Sequence, residues 1–161
     1  LQEWGFDVVA IDNSQLSCDV AKERGVKKVV CADFEDFDEG GFDTIFLLMN
    51  GWGLGVTSKG TMTMLQKMAK MLNPGGKIIG DTSDIIYMRP KIKGQQKPPF
   101  DNNYYGQIRF DLQWNQHKTS FPWLYPAPDV LEELAKQLEL DFEVIIEGDH
   151  YDYLVGITKP Q

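Results

Sequence analysis

Asp12, Asp33, Asn50, Asp81 and Asp84 all sit where the chain runs out of an apolar stretch, and they are the residues best placed to do chemistry. Polar groups just beyond the carboxyl ends of strands are where open α/β sheets hold their ligands. Each also has a plainer reading. Asp12 suits a solvated or helix-capping acid, Asp33 one surface acid among Glu35, Asp36 and Asp38, and Asn50 a turn residue before Gly51. Asp81 and Asp84 are candidate general bases that could equally be surface acids. His117 and His150 are the only histidines, and neither has a second His or a Cys at ligand spacing, so no catalytic metal is expected. His150 is expected to be exposed in a short loop, whereas His117 lies in an aromatic stretch where it could meet a substrate.

The composition limits what that chemistry can act on. The 161 residues carry 16 Lys plus Arg against 24 Asp plus Glu, a formal charge of −8 that repels phosphate backbones and anionic lipid. A small-molecule partner is therefore expected, with no nucleic acid and no membrane, while a homo-oligomer stays open. At 42% hydrophobic residues there is material for one core, and a single domain over residues 1–161 is expected. The apolar runs are too short to span a bilayer. Cys18 and Cys31 are too few for a disulfide framework and read as buried thiols of a reducing compartment, which suits a cytoplasmic protein.

The elements that would position these residues follow from the hydrophobic pattern. Leu1 to Phe6 reads as the last turn of a helix ended by Gly5. Asp7 to Asp12 and Val26 to Ala32 read as strands, with a helix between them that starts at Ser14, ends at Gly25 and carries Leu16, Val20 and Ala21 as its apolar stripe. Phe42 to Met49 is nearly all apolar, as expected of a strand covered on both faces. The spacing of Leu65, Met68, Ala69 and Leu72 predicts a helix over Thr61 to Leu72, Asn73-Pro74-Gly75-Gly76 a turn, and Lys77 to Thr82 a strand. Alternating strands and helices argue for an α/β fold with a mostly parallel sheet.

From Ser83 to Ala127 this rhythm breaks into prolines and aromatics, so residues 84–127 read as a cap insertion. Ile108 to Trp114 alternates apolar and polar residues, as a strand with one wet face does. Tyr104, Tyr105, Phe110, Trp114 and Trp123 could cage an acceptor or form the insertion's own small core. A helix opening at Pro128 and an antiparallel hairpin, Phe142 to Glu147 with Tyr153 to Thr158, close the chain.

Taken in order, V-V-A-I-D-N-S, A-D-F-E-D, F-D-T-I-F-L-L-M-N, L-N-P-G-G-K-I-I-G-D and the closing hairpin ending Y-L-V-G-I-T-K-P resemble the Rossmann-like, class I S-adenosylmethionine-dependent methyltransferases. The resemblance implies methyl transfer from S-adenosylmethionine to a small-molecule acceptor by direct displacement. It implies that Asp12 accepts from the two ribose hydroxyls, that Asn13 flanks the ribose, and that Asp33 and Phe34 meet the adenine. Asn50 would face the methionine moiety and the acceptor. The family's first strand and glycine-rich loop are missing here, since the chain opens in what resembles the helix after that loop. Without them, Asp12 and Asp33 would grip only the adenosine half of the cofactor. Two other readings stand beside this one. The first is a non-catalytic module of the same fold, used for interaction. The second is a nicotinamide-dependent dehydrogenase, in which an acid after the second strand also holds ribose; N-P-G-G and the closing hairpin speak against it.

Overall fold

Two strand–helix–strand crossovers supply the framework, because parallel neighbours can be joined only by a long connection. The computed structural model describes residues 1–89 and 104–161; Pro90, Pro98, Pro99 and the rest of 90–103 within the expected insertion lie outside the described residues. The chain packs as two compact units, Leu1–Glu39 and Gly40–Gln161.

In the first unit β1 (Val9–Asp12) pairs in parallel with β2 (Lys28–Cys31), with Asp12 opposite Cys31. Helix α1 (Gln15–Glu23) makes the crossover. Its N-cap is Ser14, whose hydroxyl accepts from the Ser17 amide, and the chain leaves it through Gly25 at φ 86°. Gln2 stitches the opening 3-10 turn (Gln2–Trp4) to the far end of this crossover: its amide nitrogen donates to the Gly25 carbonyl at 2.9 Å, and its oxygen accepts from the Lys27 amide at 2.8 Å. Two expectations fail here. The stripe of α1 is not buried, since Leu16 is 79% exposed and only Cys18 is fully covered. Cys31, expected to be buried, is exposed. Within this unit the helix has only a two-stranded sheet to pack on, too narrow to cover a full apolar stripe.

The second unit is built on a four-stranded sheet in the order β3-β4-β8-β7. Strand β3 (Phe42–Leu47) is joined by α2 (Ser58–Met71) to β4 (Leu72–Ser83) in parallel; β8 (Asp152–Thr158) is antiparallel to β4 and to β7 (Asp141–Glu147). Thr57 caps α2 by accepting from the Gly60 amide at 3.1 Å, and the helix buries Thr61, Met64, Leu65, Met68 and Met71 along one face. Helix α3 (Pro128–Gln137) buries Val130, Leu131, Leu134 and Ala135. Ile78, Val155 and Ile157 form the centre of the sheet's covered face, all without solvent exposure.

The pairs β1–β2 and β3-β4-β8-β7 are hydrogen-bonded as separate sheets, one in each unit. The apolar run of β3, an edge strand of its sheet, is not covered on both faces: Phe46 is 46% exposed, and Leu48, just past the strand, 57%. Asn73-Pro74-Gly75-Gly76 is not a separate turn but a bulge inside β4. Phe42 lies opposite Leu72 and Thr44 opposite Lys77, so the intervening residues loop out of the ladder, with Gly75 at φ 77°. The Asn73 amide holds this bulge by donating to the Gly41 carbonyl at 3.0 Å and to Asp43 Oδ1 at 2.8 Å.

Within the insertion, β5 (Gln107–Trp114) and β6 (His117–Leu124) form the antiparallel hairpin that the alternation predicts, turned by Asn115-Gln116 with Asn115 at φ 52°. Its base is anchored by three hydrogen bonds: Thr82 Oγ1 to the Pro126 carbonyl at 2.5 Å, the Ala127 amide to Tyr104 Oη at 3.0 Å, and Tyr105 Oη to Asp84 Oδ1 at 2.6 Å. The aromatics cluster at that base, with the ring centres of Phe110 and Phe121 5.5 Å apart and those of Phe121 and Trp123 6.1 Å apart, whereas Trp114 at the tip is 77% exposed.

Trp123 covers Gly53 so closely that a Cβ there would fall inside the indole ring. Gly53→Ala should therefore lower stability by about 1–3 kcal/mol, the scale of an overpacked core. A urea midpoint equal to that of the parent chain would show that Trp123 moves aside freely. Tyr105→Phe removes a donor from a nearly buried carboxylate and should cost about 1–3 kcal/mol in the same measurement. An unchanged midpoint would mean that solvent replaces the phenol at Asp84.

Candidate functional site

Parallel pairing sets the carboxyl ends of β1 and β2 side by side, and the Ala32 amide donates to the Asp12 carbonyl at 3.1 Å to close the ladder. Asp12 Oδ1 accepts from the Ser14 amide at 2.8 Å, forming the short side-chain turn that launches α1. The carboxylate is exposed, and its second oxygen makes no hydrogen bond among the described residues. Asn13 Nδ2 reaches Asp33 Oδ2 at 3.4 Å, and Asp33 Oδ1 accepts from the Glu35 amide at 3.0 Å, capping the 3-10 turn Phe34–Asp36. Asp12, Asn13 and Asp33 therefore share one edge, followed by the half-buried Phe34. The capping role and the ligand role are not exclusive at Asp12, because a carboxylate has acceptor capacity to spare after one oxygen is used.

A different arrangement surrounds Asn50 in the second unit. Met49 and Asn50 both adopt the left-handed conformation, at φ 59° and 57°, which turns the chain sharply out of β3. The Asn50 amide donates to Asp81 Oδ2 at 2.8 Å, and its side-chain oxygen accepts from Ser83 Oγ at 3.1 Å. Asp81 and Ser83 are two apart on β4 and so project to the same face. This leaves the side-chain nitrogen of Asn50 as a donor with no partner among the described residues. The loop continues as the 3-10 turn Gly51–Gly55 and ends at Val56, a β-branched residue at φ 60° and ψ −42° that stores backbone strain. Trp52 anchors this loop in the core: it is fully buried, its indole nitrogen has no hydrogen-bond partner among the described residues, and a Cβ on Gly80 would lie 2.6 Å from that nitrogen.

Asp84 lies at the end of β4 but is nearly buried and engaged, accepting on Oδ1 from the Ile86 amide at 2.9 Å and from Tyr105 Oη at 2.6 Å. Burial first, and then the hydrogen bond with Asp84, push the Tyr105 phenol well above its ordinary pKa, so it stays protonated as a donor. His117 stands exposed beside the hairpin turn, opposite Trp114, and His150 is exposed in the β7–β8 turn. Ser83 is a contact of the candidate residues that the pattern did not single out, and Tyr105, read as one of the insertion's aromatics, is tied to Asp84 by its hydroxyl. The place of Ser83 two residues after Asp81 on a strand is the one signal that could have found it. No group of three or more His, Cys, Asp or Glu suited to a metal ion occurs among the described residues, and no helix among them is long and apolar enough to cross a membrane.

Comparison with known proteins adds the family. A methyltransferase domain family model matches residues 1–80. The S-adenosylmethionine-dependent methyltransferase from Bacteroides fragilis, solved in complex with S-adenosyl-L-homocysteine, superposes with a TM-score of 0.84 at 38% identity over 99% of this chain. This chain spans 66% of the length of that protein. A S-adenosylmethionine-dependent methyltransferase from Clostridium acetobutylicum has the same fold, with a TM-score of 0.62 at 16% identity over 97% of this chain and 76% of its own. So does CalS10, an amino pentose methyltransferase from Micromonospora echinaspora, with a TM-score of 0.64 at 11% identity over 92% of this chain and 72% of its own. No curated protein matches significantly. With the order of its motifs, its two parallel crossovers and its closing antiparallel hairpin all in agreement, the chain belongs to the class I, Rossmann-like family of S-adenosylmethionine-dependent methyltransferases.

Proposed function

We propose that the protein transfers a methyl group from S-adenosylmethionine to a small-molecule acceptor in the cytoplasm. The observation that carries this reading is the edge formed by Asp12, Asn13 and Asp33 at the adjoining carboxyl ends of β1 and β2. The donor set fits the nucleoside. Asp12 is exposed and keeps one oxygen that makes no hydrogen bond among the described residues, which with the other oxygen suits the vicinal diol of a ribose. Asp33 lies beside it for an amino group of the adenine, and Phe34 supplies a half-buried ring and a backbone amide next to the base. The B. fragilis relative holds S-adenosyl-L-homocysteine. The net charge of −8 supports a small molecule over a nucleic acid as acceptor.

When bound, S-adenosylmethionine supplies a methyl group made electrophilic by its sulfonium. The chain's own residues orient the reactants. Asn50 presents its side-chain nitrogen as a donor at the end of β3, held by Asp81 and Ser83, and serves to align the acceptor or the methionine end. Asp84 and Tyr105 secure the insertion, which caps the carboxyl edge of the sheet and carries acceptor specificity. His117, exposed near the hairpin tip, is available to an acceptor and holds no other role among the described contacts. Alignment of nucleophile and leaving group suffices for such a displacement, so no dedicated base is required of Asp84.

In the full chain, Asp12→Ala should weaken binding of S-adenosyl-L-homocysteine by about 1–3 kcal/mol, the scale of a lost charge-assisted hydrogen bond. Ser14→Ala, which removes only a helix cap, should leave that affinity within twofold while lowering the melting temperature. Calorimetry that returned the parent affinity for Asp12→Ala would overturn the ribose assignment.

A further inference from the structure

Cys18 and Cys31 are the only cysteines of the chain, and in the first unit both lie beside the backbone of Asp12. Cys18, on the buried side of α1, points its thiol at the backbone of both strands: Sγ lies 3.3 Å from the Asp12 carbonyl and 3.9 Å from the Val30 carbonyl. Cys31 follows Val30 directly and is the residue paired with Asp12 in the β1–β2 ladder. The Val30 carbonyl that the Cys18 thiol approaches belongs to the peptide bond leading into Cys31, which sets the two cysteines next to each other. One is fully buried and the other exposed.

We infer that Cys18 and Cys31 form a reversible disulfide that reports the redox state of the surroundings and disturbs the turn Asp12-Asn13-Ser14. The oxidant is a low-molecular-weight disulfide. The exposed Cys31, as thiolate, attacks one of its sulfurs and releases the first thiolate, leaving a mixed disulfide. The Cys18 sulfur, giving up its proton, then attacks the Cys31 sulfur and releases the second. The balance is two protein thiols plus one disulfide to one protein disulfide plus two small thiols. Burial first, and then the neighbouring Cys31 side chain, raise the Cys18 pKa, so the closing step quickens as the pH rises. Closure takes from the Asp12 carbonyl its sulfur donor and draws α1 toward β2, shifting the cap at Ser14 and the Asp12 carboxylate hydrogen-bonded to the Ser14 amide.

The effect on ligand binding rests on the reading of Asp12 as the ribose acid; the disulfide itself does not. The full chain is incubated with oxidised glutathione, mapped as peptides without reduction, and titrated with S-adenosyl-L-homocysteine before and after dithiothreitol. The expected result is a Cys18–Cys31 cross-link with loss of two hydrogens. Affinity should fall by about tenfold, the scale of one lost hydrogen bond, and return on reduction. Cys31→Ser should bind like the reduced parent and ignore the oxidant. A map showing only a glutathione adduct on Cys31, or a bond between two chains, overturns the inference, and a cross-link with unchanged affinity overturns its link to Asp12. If the reduced parent does not bind S-adenosyl-L-homocysteine, the cofactor reading fails, while the peptide map still decides the disulfide.

Discussion

A parallel strand cannot be reached by a tight turn, and that single constraint arranges nearly everything of interest in this chain. Each crossover, β1–α1–β2 and β3–α2–β4, returns the chain through a helix to the same end of the sheet, so the carboxyl ends of neighbouring strands lie together. Residues far apart in sequence become neighbours there without any side-chain contact having to draw them in. Asn13, next to Asp12, meets Asp33 across one such pair of ends, and Asn50 meets Asp81 and Ser83 across the other. The backbone ladder does the gathering, and the polar side chains only fine-tune what it has gathered.

The fine-tuning has a cost in backbone conformation. Between β3 and α2 the chain holds left-handed residues at Met49 and Asn50 and a positive φ at Val56, all within eight residues. Strain of that kind persists only where the surroundings over-determine it. Here Asp81 and Ser83 hold the start of the loop, buried Trp52 pins its middle against Gly80, and Gly55 lies against Thr61 at its end. The hairpin insertion meets the same loop where Trp123 lies over Gly53. Glycine is needed at Gly53 and Gly80 because aromatic rings occupy the space a side chain would take, so the glycines of this loop serve packing and not a phosphate.

How much of this was legible beforehand divides along a physical line. Local chemistry was readable. Ser14 caps α1, Gly5 and Gly25 take up left-handed turns, the alternation of Ile108 to Trp114 makes a hairpin strand, and Pro128 opens α3. These depend on a residue and its near neighbours, which a linear pattern contains. Acids at the ends of apolar runs were readable too, as candidate site residues. What a pattern cannot contain is whether a face is covered. Leu16 and Val20 have the spacing of a buried stripe, yet in this unit only two strands lie beneath their helix; Phe46 sits in an unbroken apolar run, yet its strand is an edge. Nor can it contain partners set by register. The bonds from Asn50 to Asp81 and Ser83 span 31 and 33 residues, and Cys18 reaches the Val30 carbonyl beside Cys31 only because β2 aligns against β1 with Asp12 opposite Cys31. Periodicity fixes which side chains share a face; only the packed strands fix what that face meets.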